Sequence, residues 1–226
     1  MDLTAPPHRT PLPAALAAIP PGLMSESLLA LTERGEIRRY RKGTLLIQEG
    51  DQGDTLFIIL SGRLRAFSAG DNDREITYGA YGAGEYIGEM SLDGGPRSAS
   101  VITLEASVCA VVARRTLERF IAEYPGFAFE LLAKVIRRAR VATLNARQLA
   151  LNDVYGRLKL LLGALAEPQP DGTLRVAERL THQEMSNRLG CSREMVSRLM
   201  KDLERGGYVA VQAARIVLCK PLPQRW

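Results

Sequence analysis

The sequence predicts an α+β fold in which an antiparallel β-roll leads into a long helix and then a winged helix-turn-helix. From about residue 37 to residue 112, short apolar runs alternate with Gly, Asp, Ser and Asn, as in short strands joined by tight turns. Residues 127–151 contain neither Gly nor Pro, which favours one long helix. Near the C-terminus, two amphipathic helical segments flank a turn and precede a hairpin pattern, which is the order of a winged helix-turn-helix.

Composition sets the broad class of protein. The chain has 226 residues, of which 46% are apolar, so it can bury one large core or two smaller ones. It contains no run of 18 apolar residues. Prolines at Pro6, Pro7, Pro11 and Pro13 interrupt the N-terminus, which argues against a signal peptide. We therefore expect a cytoplasmic protein with no membrane partner.

Changes in pattern divide the chain into segments. Residues 1–24 are rich in Pro and Ala, and we expect them to form a mobile arm. Residues 25–126 carry a short helix followed by the β-roll. Residues 127–152 form the long helix, and residues 153–226 form the helix-turn-helix domain. This last segment holds 12 Lys and Arg against 8 Asp and Glu, an excess that suits a polyanionic partner.

A glycine-rich loop between two β-like runs carries the clearest chemical signal. It contains Glu89 and Arg97. An arginine can meet a phosphate bidentately, and a carboxylate can accept a hydrogen bond from a sugar hydroxyl. Backbone amides near the loop's small residues can point at the same phosphate; these are Gly94, Gly95 and Ser98. The loop predicts a small phosphorylated nucleoside as ligand, and the alternative is a plain hairpin with a surface salt bridge.

The long helix carries a heptad stripe of apolar residues. Its members are Leu132, Val135, Ala139, Ala142, Ala146 and Leu149, at successive spacings of 3, 4, 3, 4 and 3. The alanines favour close approach of two helices, as in a parallel homodimer. Alternatively, the stripe packs on the chain's own β-roll. Arg137, Arg138 and Arg140 lie off the stripe in either case.

The C-terminal segment has the local signals of a helix-turn-helix. Thr181 and Glu184 form a capping-box pattern, Gly190 can close the turn, and Ser192 can cap the second helix. That second helix has an apolar face and a polar face, which are usually its core and solvent faces. The apolar face consists of Val196, Leu199, Met200 and Leu203. The polar face consists of Glu194, Ser197, Arg198 and Lys201.

Two strings in this sequence resemble one protein family. The loop string G-E-Y-I-G-E-M-S-L-D-G-G-P-R-S-A-S-V resembles the phosphate-binding cassette of cyclic-nucleotide-binding domains. The string T-H-Q-E-M-S-N-R-L-G-C-S-R-E-M-V-S-R-L-M-K resembles the DNA-reading module of bacterial regulators of the cyclic-AMP receptor protein and fumarate-nitrate reduction regulator family. The resemblance extends from about residue 25 to residue 218. It implies a homodimeric transcription regulator whose effector binds the β-roll.

The resemblance implies an effector rather than a cofactor, with cyclic AMP favoured and cyclic GMP as the second candidate. Its predicted ligand-binding residues are Gly88, Glu89, Met90, Arg97, Ser98 and Thr143. Two departures from the family stand out. Only seven residues separate Glu89 from Arg97, which shortens the phosphate loop. Ala142 and Thr143 stand where the cyclic-AMP receptors have adjacent hydroxyl residues that meet adenine, so a base contact is missing.

The resemblance also implies DNA contacts from the second helix. Arginine can pair with guanine and glutamate can accept from cytosine in the major groove, which gives Arg193, Glu194 and Arg198 base-reading roles. The predicted phosphate contacts are Thr181, Gln183 and Ser192, and Lys201 is a further predicted DNA contact. Double-stranded DNA with a palindromic site and a second copy of the chain are the expected partners, with RNA polymerase as a further one.

Other functions are weighed against this one. An oxygenase built on a β-roll needs histidine ligands there, whereas His8 and His182 both lie outside it, so neither an enzyme nor a metal site is expected. Cys109, Cys191 and Cys219 are too far apart in sequence to suggest an iron-sulfur cluster. The remaining alternatives are a DNA-binding or scaffolding protein that responds to no ligand, and a regulator that senses a different small effector.

Overall fold

The computed structural model describes residues 19–20, 22–70, 75–170 and 172–224. Most of the predicted mobile arm lies outside these described residues, and Met24 at its end is buried. Within the described part, the chain forms two compact units, with boundaries between Ser68 and Ala69, between Ile76 and Thr77, and inside the long helix between Ala139 and Arg140. The α+β class with a β-roll, a long helix and a helix-turn-helix is confirmed. The four-segment division stays a prediction.

The first unit contains the β-roll and its flanking helices. Its elements are α1 (Glu26–Thr32), β1 (Glu36–Tyr40), β2 (Leu45–Ile47), β3 (Thr55–Ser61), β4 (Arg63–Ala69), β5 (Glu75–Gly82), β6 (Tyr86–Ile87), β7 (Ser100–Thr103), β8 (Ser107–Ala113), α2 (Arg114–Glu123) and the start of α3 (Gly126–Leu151). One sheet has the strand order β1-β8-β3-β6, and the other has the order β2-β7-β4-β5. The pairings that join β1, β3 and β6 to their neighbours are antiparallel, as are those of β7.

Strand β3 shows why these residues form a two-layered core. Its middle residues are all buried, and successive side chains point to opposite faces of the sheet. Leu56, Ile58 and Leu60 join a cluster with the flanking helices, which includes Phe120 and Phe127. Its other face, with Phe57 and Ile59, joins the cluster between the two sheets. The long helix is thus anchored on the outer face of one sheet.

The second unit contains the helix-turn-helix and its wing, together with Ala69 at the end of β4 and Glu75 and Ile76 at the start of β5. Its elements beyond α3 are α4 (Val154–Leu165), β9 (Ala166–Pro168), β10 (Leu174–Val176), α5 (His182–Leu189), α6 (Arg193–Arg205), β11 (Val209–Gln212) and β12 (Arg215–Leu218). The strands form an antiparallel sheet in the order β11-β12-β10-β9. The long helix ends at Leu151, and Asp153 caps α4 by accepting from the Gly156 amide at 2.7 Å.

The local signals of the helix-turn-helix are also confirmed. Thr181 and Glu184 form a reciprocal capping box at the start of α5. Gly190 ends that helix in the left-handed region at φ 63°, where a side chain would be strained. Ser192 caps α6 by accepting from the Met195 amide at 3.2 Å. The predicted apolar face of α6 is buried in the core of this unit.

The wing hairpin turns at two alanines with positive φ. Ala213 and Ala214 have φ of 49° and 59° between β11 and β12. We predict that Ala214→Gly raises the free energy of unfolding by about 0.5 to 1 kcal/mol, because glycine avoids most of the left-handed penalty. The control Ala210→Gly, within β11, should lower it by a similar amount. Urea unfolding followed by circular dichroism tests both, and equal effects of the two variants would contradict the prediction.

Candidate functional site

The glycine-rich loop is built around Gly88. Gly88 has φ of 90° and precedes a short 3-10 turn at Glu89–Ser91. A Cβ at this position would lie 2.6 Å from the Thr55 carbonyl oxygen and 2.8 Å from Nη1 of Arg97. Glycine is therefore required both for its conformation and for the close approach of β3. The loop brings the Glu89 and Arg97 side chains into the interior of the first unit, where both are buried.

Arg97 is held by the protein itself. Arg97 is buried, with only 7% of the residue exposed to solvent. Nη1 donates to the Gly88 carbonyl at 3.1 Å and to Ser91 Oγ at 2.7 Å, while Nη2 donates to the Thr55 carbonyl at 3.1 Å and to Thr55 Oγ1 at 2.9 Å. Burial lowers the pKa of the guanidinium, and the carboxylates of Asp54 and Glu89 oppose that shift.

These contacts change how Arg97 could meet a phosphate. A guanidinium has two N–H groups on each Nη atom and one on Nε. The described acceptors at Thr55, Gly88 and Ser91 engage both Nη atoms twice. A bidentate contact with a phosphate therefore requires that some of these hydrogen bonds be exchanged for bonds to the ligand.

Glu89 is paired with the long helix. Its carboxylate, 2% exposed, forms a short ion pair with Nη1 of Arg138 on α3. Nη2 of Arg138 donates to the Tyr86 carbonyl at 2.5 Å, and the guanidinium lies over the Tyr81 ring with its Cζ 4.6 Å from the centroid. A second, weaker pair, Lys134 with Glu85 at 3.5 Å, lies one helical turn earlier. Two ion pairs thus join the loop to α3.

The amides expected to face a phosphate are partly engaged elsewhere. The Gly94 amide donates to the Ser91 carbonyl at 3.1 Å, and the Gly95 amide donates to Asp93 Oδ1 at 2.8 Å. The expectation that these two amides are available was therefore wrong, because the turn uses them to satisfy its own acceptors.

The other predicted ligand residues lie at the surface. Met90 is 57% exposed, and Ser98 is exposed beside the buried Arg97. Thr143 is exposed on α3. The structure thus brings Gly88 and Arg97 together at Thr55, with Glu89 directly after Gly88, while Met90 and Ser98 of the same loop are exposed.

Helix α6 presents its polar face to solvent. The side chains of Arg193, Glu194, Arg198 and Lys201 are exposed. Nη2 of Arg198 contacts Sδ of Met195 at 3.1 Å, which is a weak interaction, so the arginine can reach toward another acceptor. The opposite face of the helix is fixed in the core by Val196, Leu199, Met200 and Leu203. This arrangement holds a row of polar side chains on a rigid support.

Helix α5 packs against α6 and adds polar groups at its N-terminus. The Thr181 hydroxyl donates to Glu184 at 2.9 Å and accepts from the Glu184 amide at 3.1 Å, so it serves the capping box. Gln183 is exposed and donates to Asn187 Oδ1 at 2.8 Å. Nδ1 of His182 and Oγ of Ser197 share a hydrogen bond of 2.8 Å, which ties the start of α5 to the polar face of α6.

The heptad stripe on α3 is mostly exposed within the chain. Leu132 is 53% exposed, and Ala139, Ala142, Ala146 and Leu149 are also exposed. Val135 alone among the stripe's described members is half-buried. Within the first unit, Phe127, Leu131 and Arg138 of α3 contact the β-roll, while Leu132 and Ala139 of the stripe are exposed.

Comparison with known proteins gives a domain type for each half of the chain. The model of the cyclic nucleotide-binding domain matches residues 37–124, and the model of the Crp-like helix-turn-helix domain matches residues 156–221. The chain is 30% identical over 208 residues to the CRP-like cAMP-activated global transcriptional regulator of Mycobacterium tuberculosis, covering 90% of this chain and 93% of that protein. The chain belongs to the Crp/Fnr family of transcription regulators.

Other members of the Crp/Fnr family extend the comparison. The chain is 30% identical over 205 residues to the CRP-like protein Clp of Xanthomonas campestris, covering 85% of this chain and 86% of that protein. The solved structure of the c-di-GMP responsive global regulator CLP of Xanthomonas campestris is similar, with a TM-score of 0.74 and 26% identity over 86% of this chain and 98% of that one. Family members of this kind are regulators and not enzymes. Among the described residues, no helix is both long and apolar enough to cross a membrane.

Sequence reasoning missed several residues that shape the two sites. They are Thr55, Tyr81, Ser91, Arg138 and His182. One signal was available in the sequence. Lys134 and Arg138 are four residues apart and so share a face of the long helix, and Glu85 and Glu89 are also four residues apart, so the two acidic side chains match the two basic ones in spacing. The contacts of Thr55 and Tyr81 had no such signal, because they depend on tertiary structure.

Arg97 should also stabilise the fold. We predict that Arg97→Leu lowers the free energy of unfolding of the first unit by about 2 to 4 kcal/mol, because it leaves the buried acceptors at Thr55, Gly88 and Ser91 unpaired. The control Arg63→Leu changes an exposed arginine on β4 and should have little effect. Scanning calorimetry measures both, and equal melting temperatures for the two variants would show that the Arg97 contacts contribute nothing.

Proposed function

We propose that this Crp/Fnr regulator is a homodimer that binds a palindromic operator under the control of a cyclic nucleotide. The observation that carries the proposal is the ion pair between Glu89 and Arg138. It connects the cassette to α3, the same helix that carries the exposed heptad stripe. A ligand that competes for Glu89 therefore acts directly on the helix that would form the dimer.

The effector class follows from the cassette's chemistry. Glu89 offers a buried carboxylate to a ribose hydroxyl, and Arg97 offers a cation to a cyclic phosphate. Cyclic AMP is the first candidate, supported by the name of the Mycobacterium tuberculosis relative, which is cAMP-activated. Cyclic GMP is the second. The Xanthomonas campestris regulator is c-di-GMP responsive, so relatives of similar identity differ in effector.

The exposed stripe on α3 supports the homodimer. Leu132 and Leu149 provide apolar area near its two ends, and the alanines between them allow close approach of a second helix. Two-fold symmetry would present one copy of α6 to each half-site, roughly 34 Å apart in successive major grooves. RNA polymerase is a further proposed partner.

A second function is favoured by one observation. The Nη groups of Arg97 already donate hydrogen bonds to Thr55, Gly88 and Ser91, as expected if the cassette were a structural element only. The chain would then bind DNA without responding to any cyclic nucleotide. Alternatively, it would respond to a different small effector. Calorimetric titration with cyclic AMP and cyclic GMP separates the proposed function from both alternatives. Absence of heat at millimolar nucleotide would contradict control by these nucleotides and favour the second function.

Two substitutions distinguish base contacts from phosphate contacts. We predict that Arg198→Ala removes about 1 to 3 kcal/mol of discrimination at one base pair in each half-site. The control Gln183→Ala changes an exposed residue at the start of α5 and should weaken binding to all sequences alike. Selection from random DNA measures both base preferences, and an unchanged preference in the Arg198 variant would disprove the base-reading role.

Effector and operator should bind cooperatively. We predict that saturating cyclic nucleotide raises operator affinity, and that operator raises nucleotide affinity by the same factor, typically about 5- to 150-fold. Fluorescence anisotropy with a labelled operator measures the coupling at one fixed salt concentration, because phosphate contacts depend strongly on salt. Equal operator affinity with and without the nucleotide would leave the ligand-independent function standing.

A further inference from the structure

Tyr81 lies beside the buried carboxylate of the cassette. It is on β5 and packs against the apolar cluster between the two sheets. The guanidinium of Arg138 covers its ring, with Cζ 4.6 Å from the centroid. Burial raises the pKa of the Tyr81 hydroxyl, while Arg138 opposes the shift. The ring is thus held between an apolar interior and a planar cation.

Gly79 makes room for this ring. Gly79 and Tyr81 are two residues apart on β5, so they share a face of the strand. A Cβ at Gly79 would lie only 3.0 Å from the Tyr81 hydroxyl oxygen and 3.2 Å from Cζ. Gly79 does not have a positive φ, so its backbone does not require glycine. The absence of a side chain there leaves space for the ring of Tyr81.

The same guanidinium reaches both Glu89 and Tyr81. Arg138 pairs with the Glu89 carboxylate through Nη1, and its Cζ lies 4.6 Å from the centroid of the Tyr81 ring, so the carboxylate and the ring both neighbour one guanidinium. A nucleoside consists of a sugar and a planar base joined by one bond. A nucleoside whose ribose is held at Glu89 therefore brings its base within reach of the Tyr81 ring.

We propose that Tyr81 is the base-stacking residue of the effector site and that a purine takes the ring face on which Arg138 lies. This inference rests on the proposed function, since it needs a nucleotide at Glu89. Aromatic rings stack on bases through their π faces, and larger purines gain more than pyrimidines. Tyr81 therefore selects purine over pyrimidine without distinguishing adenine from guanine. Arg138 gives up its contact with the ring and keeps its charge near Glu89.

Substitutions at Tyr81 test the stacking role by calorimetric titration. Tyr81→Leu keeps apolar bulk and should weaken cyclic AMP and cyclic GMP binding by about 5- to 100-fold, with a smaller loss for cyclic CMP and cyclic UMP. Tyr81→Phe keeps the ring and should bind within about threefold of the parent. Tyr78→Leu is the matched control, because Tyr78 lies on the same strand and is 48% exposed. It should leave every affinity unchanged.

The outcomes separate this inference from the proposed function. If the parent binds no cyclic nucleotide, the proposed function fails and the stacking role falls with it. If the parent binds and Tyr81→Leu binds as tightly, the stacking role is overturned while the function stands. Equal losses for purine and pyrimidine nucleotides would assign Tyr81 a structural role only and would also overturn it.

A second measurement covers a leucine variant that does not fold. Trp226 is the chain's single tryptophan, so the Y81W variant in a Trp226→Phe background carries one fluorophore, at the proposed site. Stacking of a purine on that indole should quench its emission on addition of the nucleotide that the parent binds. Unchanged emission at a nucleotide concentration that saturates the variant by calorimetry would overturn the proposal.

Discussion

The ion pair between Glu89 and Arg138 is the interaction on which the arrangement of the first unit depends. A buried carboxylate is costly unless a cation and hydrogen-bond donors compensate it. Here the cation comes from α3, a helix that begins some distance along the chain from the loop, so the ion pair adds to the packing of Phe127 in holding that helix against the β-roll. Removing either partner of such a pair leaves an uncompensated charge and typically costs about 3 to 5 kcal/mol. The loop and α3 are therefore constrained to each other.

The loop that presents Glu89 is itself maintained by Arg97. Gly88 turns the chain in a conformation that other residues avoid, and its carbonyl accepts from Arg97. Thr55 supplies both a carbonyl and a hydroxyl from the neighbouring strand β3. Because strand and loop share one buried guanidinium, the loop is tied to β3 by hydrogen bonds of the protein itself. The cassette thus obtains its shape from the same guanidinium that a phosphate would bind under the proposed function.

Local chemistry made much of the fold predictable from sequence. The capping roles of Thr181, Gly190 and Ser192 depend on contacts with residues no more than one helical turn away, so they follow from a few neighbouring residues. Long-range partners did not follow in the same way. Thr55 meets Arg97 across 42 positions, and nothing near Thr55 distinguishes it from an ordinary strand residue. The predicted ligand contact of Met90 stays a prediction, and its side chain is 57% exposed, because the direction of a loop side chain depends on the whole turn around it.

The two candidate sites differ in how their polar groups are used. On α6, Arg193, Glu194 and Lys201 are exposed, so DNA can be met by adding contacts to a preformed surface. In the cassette, Arg97 and Glu89 are buried and bonded to protein groups, so a bidentate phosphate contact at Arg97 would replace existing hydrogen bonds. The affinity of such a site is the difference between the new bonds and the lost ones. Because the Glu89 carboxylate is paired with Arg138 of α3, a ligand that competed for it would, under the proposed function, act on that helix as well.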